Sequence, residues 1–132
     1  MPSMSREAVQ SERAPAAVGP YSQACRARGS RTLYLSGQVP LDPATGQLVP
    51  GPAAAQAARC LESLKAVLEA DGLGFADVVR CTIFLTDLAD FGAVNEVYSR
   101  CFQAPFPARA CVQVVALPRG ARVEIDAVAE RA

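Results

Sequence analysis

The chain of 132 residues carries 13 Lys and Arg and 13 Asp and Glu, so its formal net charge at pH 7 is zero. Domains that hold nucleic acid by neutralising phosphates are usually markedly basic, so this balance argues against a nucleic-acid partner. Histidine, the commonest general base and zinc ligand, is absent, so we expect no metal site and chemistry based on carboxylates, thiols, phenols, arginine and water.

The N-terminal segment is polar, and its composition predicts a disordered extension over residues 1–13, followed by a single domain over 14–132. No apolar run reaches the length of a membrane span, and no secretory signal opens the chain. Five cysteines without paired-ligand spacing are typical of reduced thiols in a reducing compartment. We therefore expect no membrane contact and a cytoplasmic location, with the mitochondrion as the alternative.

Two strands and a bulge are predicted in the first third of the chain. Alternation over 21–26 predicts a strand, and the turn at 28–31 predicts that 32–36 returns beside it as a hairpin partner. Gly37 interrupts the second strand, and a glycine inside a strand usually marks a bulge or a close approach by another group. A short extended piece is predicted at 47–49.

Two amphipathic helices are predicted on either side of a central strand. Apolar residues recur at helical spacing over 57–68, and Gly72 ends that helix. A β-branched run predicts a strand over 78–85, and Asp90 is the expected N-cap of the second helix. The apolar stripe of the second helix is interpreted as helix-to-sheet packing; its members are Phe91, Val94, Tyr98 and Phe102.

The strand that follows Pro107 carries an arginine among apolar residues. Proline lacks an N–H, so Pro107 can only open this strand or lie at its edge. Alternation then places Arg109 and Cys111 on the same face. A guanidinium on an otherwise apolar strand is costly unless an anion meets it. The residues leave two interpretations open, a structural salt bridge or a fork for a small carboxylate or phosphate.

The turn at 118–120 predicts that the last strand, 122–129, returns beside the strand of Arg109 as a hairpin. This hairpin would place Arg109 near Glu130 and separate it from Glu124 by roughly 20 Å within one chain. The two side chains could then share a pocket only if a neighbouring subunit supplied one of them.

The element order, β-β-(β)-α-β-α-β-β, predicts an α+β fold with a mixed β-sheet and two helices packed on one face. Several strands carry apolar residues toward both faces, as in Val78/Val79 and Ile83/Phe84. Two helices cover only one face of such a sheet. We therefore expect other copies of the chain to cover the second face in a homo-oligomer.

Short motifs that run in order over nearly the whole chain resemble the Rid family of YjgF-type reactive intermediate deaminases. They are Gly19-Pro-Tyr-Ser-Gln-Ala24, Leu35-Ser-Gly-Gln38, Asp77-Val-Val79, Thr86-Asp-Leu-Ala-Asp-Phe91, Val94-Asn-Glu-Val-Tyr98, Phe106-Pro-Ala-Arg109, Leu117-Pro-Arg-Gly120 and Val123-Glu-Ile125. The resemblance implies a chorismate-mutase-like α+β fold and a homotrimer with sites in the clefts between subunits. It also implies hydrolysis of small 2-imino acids, such as 2-iminobutanoate and 2-iminopropanoate, to 2-oxo acids and ammonia.

The resemblance assigns roles to residues of this chain. Arg109 would hold the substrate carboxylate, while Glu124 and Tyr21 would hold and activate the attacking water, so we expect no cofactor. The substrate-binding residues would be Ser36, Gly37, Asn95 and Cys111. Structural alternatives stay open: an exposed strand carboxylate for Glu124, a core aromatic for Tyr21, a simple bulge for Gly37 and a backbone cap for Asn95.

Cys111 is expected to offer backbone groups to the substrate. Nothing near it in the sequence would lower the pKa of its thiol, so we interpret the side chain as a passive wall of the pocket.

Two other classes of function stay open. Some relatives have been described as single-strand endoribonucleases that inhibit translation, and the zero net charge argues against that activity here. The other alternative is a non-catalytic trimer that binds small carboxylates or acts as a chaperone.

Overall fold

The computed structural model describes residues 4–132 as one six-stranded sheet with two helices packed on one face. The strands are β1 (Arg6–Val9), β2 (Ala24–Ala27), β3 (Thr32–Gln38), β4 (Val78–Leu85), β5 (Ala108–Gln113) and β6 (Val123–Glu130). The helices are α1 (Ala53–Ala70) and α2 (Phe91–Ser99). The strand order is β1-β2-β3-β6-β4-β5; β4 and β5 run parallel, and the other neighbours run antiparallel. The predicted α+β fold with a mixed sheet is confirmed.

The core lies between α1 and the sheet. The apolar stripe of α1 is buried, and Leu64, Val67 and Leu68 are at most 1% exposed. Burying each of these side chains contributes about 1.5–3 kcal/mol, which holds the helix on β3 and β6. The predicted end of the helix is confirmed, since Gly72 follows it with a φ of 73°, a left-handed conformation that glycine adopts at little cost.

Part of the predicted N-terminal extension is ordered. Arg6–Val9 pairs antiparallel with β2 as an edge strand, so the expected disorder over 1–13 is wrong for this segment. Residues 1–3 of that prediction lie outside the described residues. The buried side chain of Gln23 holds the chain that follows β1, because its Nε2 donates hydrogen bonds to three backbone carbonyls. These carbonyls belong to Ser11, Ala14 and Pro15.

The hairpin of β2 and β3 and the bulge in β3 are confirmed. Cys25 lies opposite Tyr34, although β2 begins at Ala24, three residues later than predicted. The register of β3 against β6 shifts between Leu35 and Gln38, the interval that contains Gly37.

The predicted hairpin of the last two strands is wrong. β5 pairs with β4 alone at the edge of the sheet, while β6 lies between β3 and β4. Glu130 therefore lies opposite Thr32 rather than beside Arg109. The physical reason is β4, both of whose edges are paired because β5 and β6 lie on opposite sides of it; the 3-10 turn at Pro118–Gly120 leads the chain past β4.

The second face of the sheet, called the open face below, is not covered by any element within residues 4–132. Tyr34 is 55% exposed and Val112 41% exposed there, whereas Cys81 and Ile83, which point toward the helices, are fully buried. Coverage of the open face by further copies of the chain stays a prediction. Over the same residues, no helix combines the length and hydropathy needed to cross a bilayer.

Candidate active site

Arg109 leaves β5 on the helix side of the sheet and lies against α2. Its Nη1 donates a hydrogen bond to Oδ1 of Asn95 at 2.7 Å. The guanidinium carbon lies 5.5 Å from the ring centre of Phe91 and 4.8 Å from that of Tyr98. Both distances lie within the range of about 6 Å in which a cation is attracted to an aromatic face. One neutral amide and two aromatic faces therefore hold this cation.

The sequence of α2 explains why these three partners converge. Phe91, Asn95 and Tyr98 follow one another at spacings of four and three residues, so they share one face of the helix. Val94 and Tyr98 are buried in the core and so fix the rotation of the helix about its axis. This face of α2 is thereby presented to β5.

The start of α2 differs from the prediction. Asp90 precedes the first helical residue but makes no side-chain capping hydrogen bond, so its predicted capping role is wrong. Asp87 instead caps the preceding 3-10 turn, where its Oδ1 accepts a hydrogen bond from the N–H of Ala89 at 2.9 Å. The 3-10 turn at Leu88–Asp90 comes directly before α2, so the residue that needs a capping side chain is the one before this turn, Asp87, and not Asp90.

The charge of Arg109 has no protein counterion in the part of the chain that the structure describes. The ion pairs formed there within 4.0 Å join other residues. Asn95 accepts from one of the five guanidinium N–H donors, and the aromatic faces use none. This arrangement favours the anion fork over the structural salt bridge, because the N–H donors that remain have the geometry that a carboxylate binds.

Cys111 lies two residues beyond Arg109 and opposite Ile83 of β4, on the same side of the sheet. Burial raises the pKa of its thiol, and the positive charge of Arg109 acts in the opposite direction. A raised pKa disfavours the thiolate at neutral pH, so the side chain suits a pocket wall better than a nucleophile. The chain has no disulfide among its five cysteines, and burial raises the pKa of Cys81 to about 11.

The second group of site residues lies on the open face. The carboxyl group of Glu124 lies directly over Gly37, where an added Cβ would be 2.2 Å from Oε2. Burial raises the pKa of Glu124, and the neighbouring carboxylate of Asp126 raises it further. The bulge in β3 therefore has a packing reason, since only glycine leaves room for this acid.

Tyr21 and Ser36 line one cavity of about 610 Å³ near the same end of β3, together with Tyr34 and Arg6. The Oγ of Ser36 donates a hydrogen bond to the carbonyl of Ser22 at 2.5 Å. Its backbone N–H donates to the carbonyl of Gln23 at 2.9 Å. Tyr21 is 51% exposed, so a core role for its ring is wrong.

One chain does not bring the two groups together. Across β4, Arg109 lies opposite Cys81 and Glu124 lies opposite Phe84. The residues are thus offset by about 10 Å along the strands and by two strand spacings, about 10 Å, across them. Because the offset is three positions, the side chains point to opposite faces. These offsets replace the separation of roughly 20 Å between Arg109 and Glu124 that the predicted hairpin implied. The two side chains are still apart within one chain.

Sequence reasoning missed two contributions to this geometry. Phe91 and Tyr98 were interpreted only as packing, yet both also contact Arg109. Their spacing around Asn95 was the available signal. Asp126 was also missed; alternation two residues after Glu124 places both carboxyl groups on one face of β6.

Comparisons with known proteins agree with this fold. The model of the Endoribonuclease L-PSP family matches residues 11–131. A mouse protein named 2-iminobutanoate/2-iminopropanoate deaminase is 52% identical over 129 residues, which cover 98% of this chain and 94% of the mouse protein. Protein DfrA of Myxococcus xanthus is 61% identical over 126 residues, 96% of either chain.

Solved structures give the same result. The Escherichia coli protein TdcF, crystallised with bound serine, superposes with a TM-score of 0.88 at 43% identity and covers 96% of this chain and 99% of its own. RidA from an Antarctic Psychrobacter superposes with a TM-score of 0.89 at 46% identity, with coverages of 94% and 98%. The fold and these similarities thus define a Rid-type α+β domain. The chain belongs to the YjgF/Rid family, whose family model is described as Endoribonuclease L-PSP.

Proposed function

We propose that this protein hydrolyses small 2-imino acids, such as 2-iminobutanoate and 2-iminopropanoate, to 2-oxo acids and ammonia. The observation that carries the proposal is Arg109, a cation held by neutral partners with most of its N–H donors unused. A 2-imino acid has one carboxylate next to its reactive C=N carbon. A bidentate clamp on that carboxylate would fix the carbon where water can reach it.

The chemistry needs water and a proton shuttle. Water adds to the carbon of the protonated imine and loses one proton as the tetrahedral carbinolamine forms; that proton passes to the carbinolamine nitrogen, the C–N bond breaks to release ammonia, and the hydroxyl loses its proton to leave the C=O of a 2-oxo acid. Glu124 would orient the water and accept its proton, and the hydroxyl of Tyr21 would hold the same water. Ser36, Gly37 and Cys111 would contact the substrate through backbone groups, which polarise the imine, and Asn95 would line the pocket.

We further propose that the active sites form between copies of the chain in a homotrimer. Arg109 and Glu124 point to opposite faces of one sheet, so they can act on one substrate only across an interface. The open face offers the surface, since Tyr34 and Val112 are exposed on it. Burial of such a face in an oligomer would stabilise the assembly by the hydrophobic effect.

The relatives support this substrate class. The mouse relative is named for the deamination of 2-iminobutanoate and 2-iminopropanoate. The TdcF structure contains serine, an α-amino acid whose carboxylate has the same position relative to nitrogen as the carboxylate of a 2-imino acid. A small α-carboxylate is therefore the chemical feature that the Arg109 clamp would recognise here.

The test is imine hydrolysis in competition with a trap. A threonine dehydratase generates 2-iminobutanoate, semicarbazide captures it, and the fall in captured product on adding this protein measures hydrolysis. We expect wild type to outcompete the trap and Arg109→Ala to lose roughly ten- to a hundredfold in rate, the value of hydrogen bonds to a charged group. Arg100→Ala, an exposed arginine just after α2, is the matched control.

Absence of turnover by wild type, across several imino acids, would overturn the proposal. Endoribonuclease activity is the second candidate because the family description names it. It predicts cleavage of single-stranded RNA that Arg109→Ala abolishes and that survives further purification. Binding of 2-oxobutanoate without turnover would instead indicate a non-catalytic carboxylate-binding protein.

A further inference from the structure

We infer that Phe91, Asn95 and Tyr98 form a charge-neutral cradle that positions the Arg109 guanidinium for an anionic ligand. These three residues, called the α2 cradle below, act through Arg109 and are positioning residues rather than catalytic ones. The inference rests on the proposed function, which identifies the ligand as the carboxylate of a 2-imino acid. It assigns to Phe91 and Tyr98 a role beyond packing.

The two rings hold the guanidinium from two sides. Phe91 and Tyr98 are seven residues apart, about 10.5 Å along the helix axis. Because the guanidinium carbon lies 5.5 Å from one ring centre and 4.8 Å from the other, Arg109 lies between them. The rings attract the cation through their faces and accept none of its N–H groups. The edge donors therefore stay available for a carboxylate.

The amide of Asn95 supplies direction without charge. It accepts from Nη1 of Arg109 at 2.7 Å, which orients one edge of the fork. A carboxylate at this position would form an internal ion pair and compete with the ligand for the same cation. Because all three partners are neutral, they hold Arg109 in place and leave its charge available to an anionic ligand.

The cradle also lowers the entropic cost of binding. A free arginine side chain loses rotamer freedom when it is fixed. Here that ordering comes from α2, which is itself fixed by Tyr98, 4% exposed, and by the fully buried Val94. A guanidinium ordered before binding gives a ligand more of its contact energy as affinity.

Four substitutions in the cradle separate positioning from packing. Phe91→Leu removes one ring at a position that is 37% exposed, and Phe91→Tyr restores a ring. Tyr98→Phe keeps the second ring and removes only its buried hydroxyl, which lies near the thiol of Cys81. Asn95→Asp keeps the shape and adds a charge. Phe75→Leu is the control, because that ring packs on Phe102 and not on Arg109.

Two readouts are made on the full-length proteins. The trap assay gives KM and kcat for 2-iminobutanoate, and calorimetric titration gives the Kd of 2-oxobutanoate, with its neutral amide as a control ligand. For Phe91→Leu we expect KM and Kd to rise roughly two- to thirtyfold, the range of a cation–π contact, with kcat changed less. Phe91→Tyr and Tyr98→Phe should resemble wild type, and Phe75→Leu should lose only thermal stability.

Asn95→Asp gives the sharpest outcome. We expect the Kd of 2-oxobutanoate to rise at least tenfold while the thermal midpoint stays equal or increases, since Arg109 gains an internal counterion. A merely structural role would lower the midpoint instead. The cradle is overturned if Phe91→Leu and Asn95→Asp both keep the wild-type KM and Kd. If wild type binds 2-oxobutanoate without hydrolysing imines, the proposed function fails, and the Kd values alone decide the cradle.

Discussion

Glu124 is a partly buried acid on the open face, with a second carboxylate close to it. Burial on the open face raises its pKa, and the like charge of Asp126 two residues away raises it further. Asp126 is itself held in place, since its Oδ1 accepts a hydrogen bond from the backbone N–H of Thr82 at 3.0 Å. A carboxyl group with a raised pKa is a better proton acceptor once ionised, which suits the proposed base.

The pH dependence follows from the direction of this shift. The folded state binds the proton of Glu124 more tightly than the unfolded state, so the free energy of unfolding falls as pH rises from the ordinary glutamate pKa through the raised one. We expect the acidic limb of kcat/KM to lie above the ordinary glutamate pKa and Asp126→Asn to move it to lower pH. Glu124→Gln should remove the fall in stability, measured by urea unfolding between about pH 4 and pH 7.

An acidic limb unmoved by Asp126→Asn would mean that another group controls the rate. Asp42→Asn, on an exposed turn far from β6 in the sequence, is the matched control.

The sequence predicted the candidate site unevenly at the scale of single residues. The cost of a cation on an apolar strand pointed to Arg109 without any structure, and the interrupted strand pointed to Gly37. The aromatic partners Phe91 and Tyr98 were missed because their spacing is the same as that of ordinary core packing. Their contact with Arg109 depends on how α2 lies on β5, which no local pattern contains.

At the scale of elements, the helices and the central strand were predictable because their periodicity is local. The pairing of β5 and β6 was not. A Pro-Arg-Gly turn fits both a hairpin and a crossover, and Arg119, with a φ of 63°, gives no sequence signal that separates them. The choice is made by β4, which can satisfy backbone groups on both of its edges only if β6 lies on one side and β5 on the other.

The bulge of β3 gives a prediction at this scale. In Gly37→Ala the new Cβ would meet Oε2 of Glu124 at 2.2 Å, so the carboxylate must move. We expect kcat/KM in the trap assay to fall roughly a hundredfold or more, as for a displaced general base. The free energy of unfolding should fall by at most about 1 kcal/mol, the low end of the overpacking range, because the atoms that must move belong to a flexible, partly buried side chain.

Gly74→Ala is the matched control for that substitution, because nothing lies within 4 Å of a Cβ added there. It should keep wild-type activity. Full activity in a folded Gly37→Ala protein would show that the position of Glu124 over β3 does not matter for the reaction.

At the scale of the whole molecule, the arrangement of the sheet explains why one chain cannot complete the proposed site. The helices fill one face and bring α2 to Arg109, while Glu124 and the cavity of Tyr21 lie at the open face. Joining these groups requires a second copy whose β5 edge meets the first copy near its β3 bulge. The sequence led us to expect a homo-oligomer, because apolar residues such as Ile83 and Phe84 point to both faces of the sheet. How a second copy would dock could not be predicted, because no pattern within one chain encodes it.

Mixed oligomers test this arrangement directly. Arg109→Ala and Glu124→Gln alone are each expected to keep at most about a tenth of wild-type activity, and we expect activity to rise above that level when they are unfolded and refolded together. A site is intact when Arg109 comes from a Glu124→Gln copy and Glu124 from an Arg109→Ala copy, about one site in four for random assembly from equal amounts. Trap-assay activity should therefore recover to roughly a quarter of wild type, and refolding either variant alone provides the control.

A site formed within one copy predicts a different recovery of activity. If both residues acted within one copy, every copy would lack one of them, and mixing would recover no activity even where differently tagged variants purify together. A protein that stays monomeric by light scattering yet hydrolyses imines would contradict the shared site in the same way. Recovery near one quarter requires Arg109 and Glu124 to meet across an interface, because no single chain in the mixture carries both.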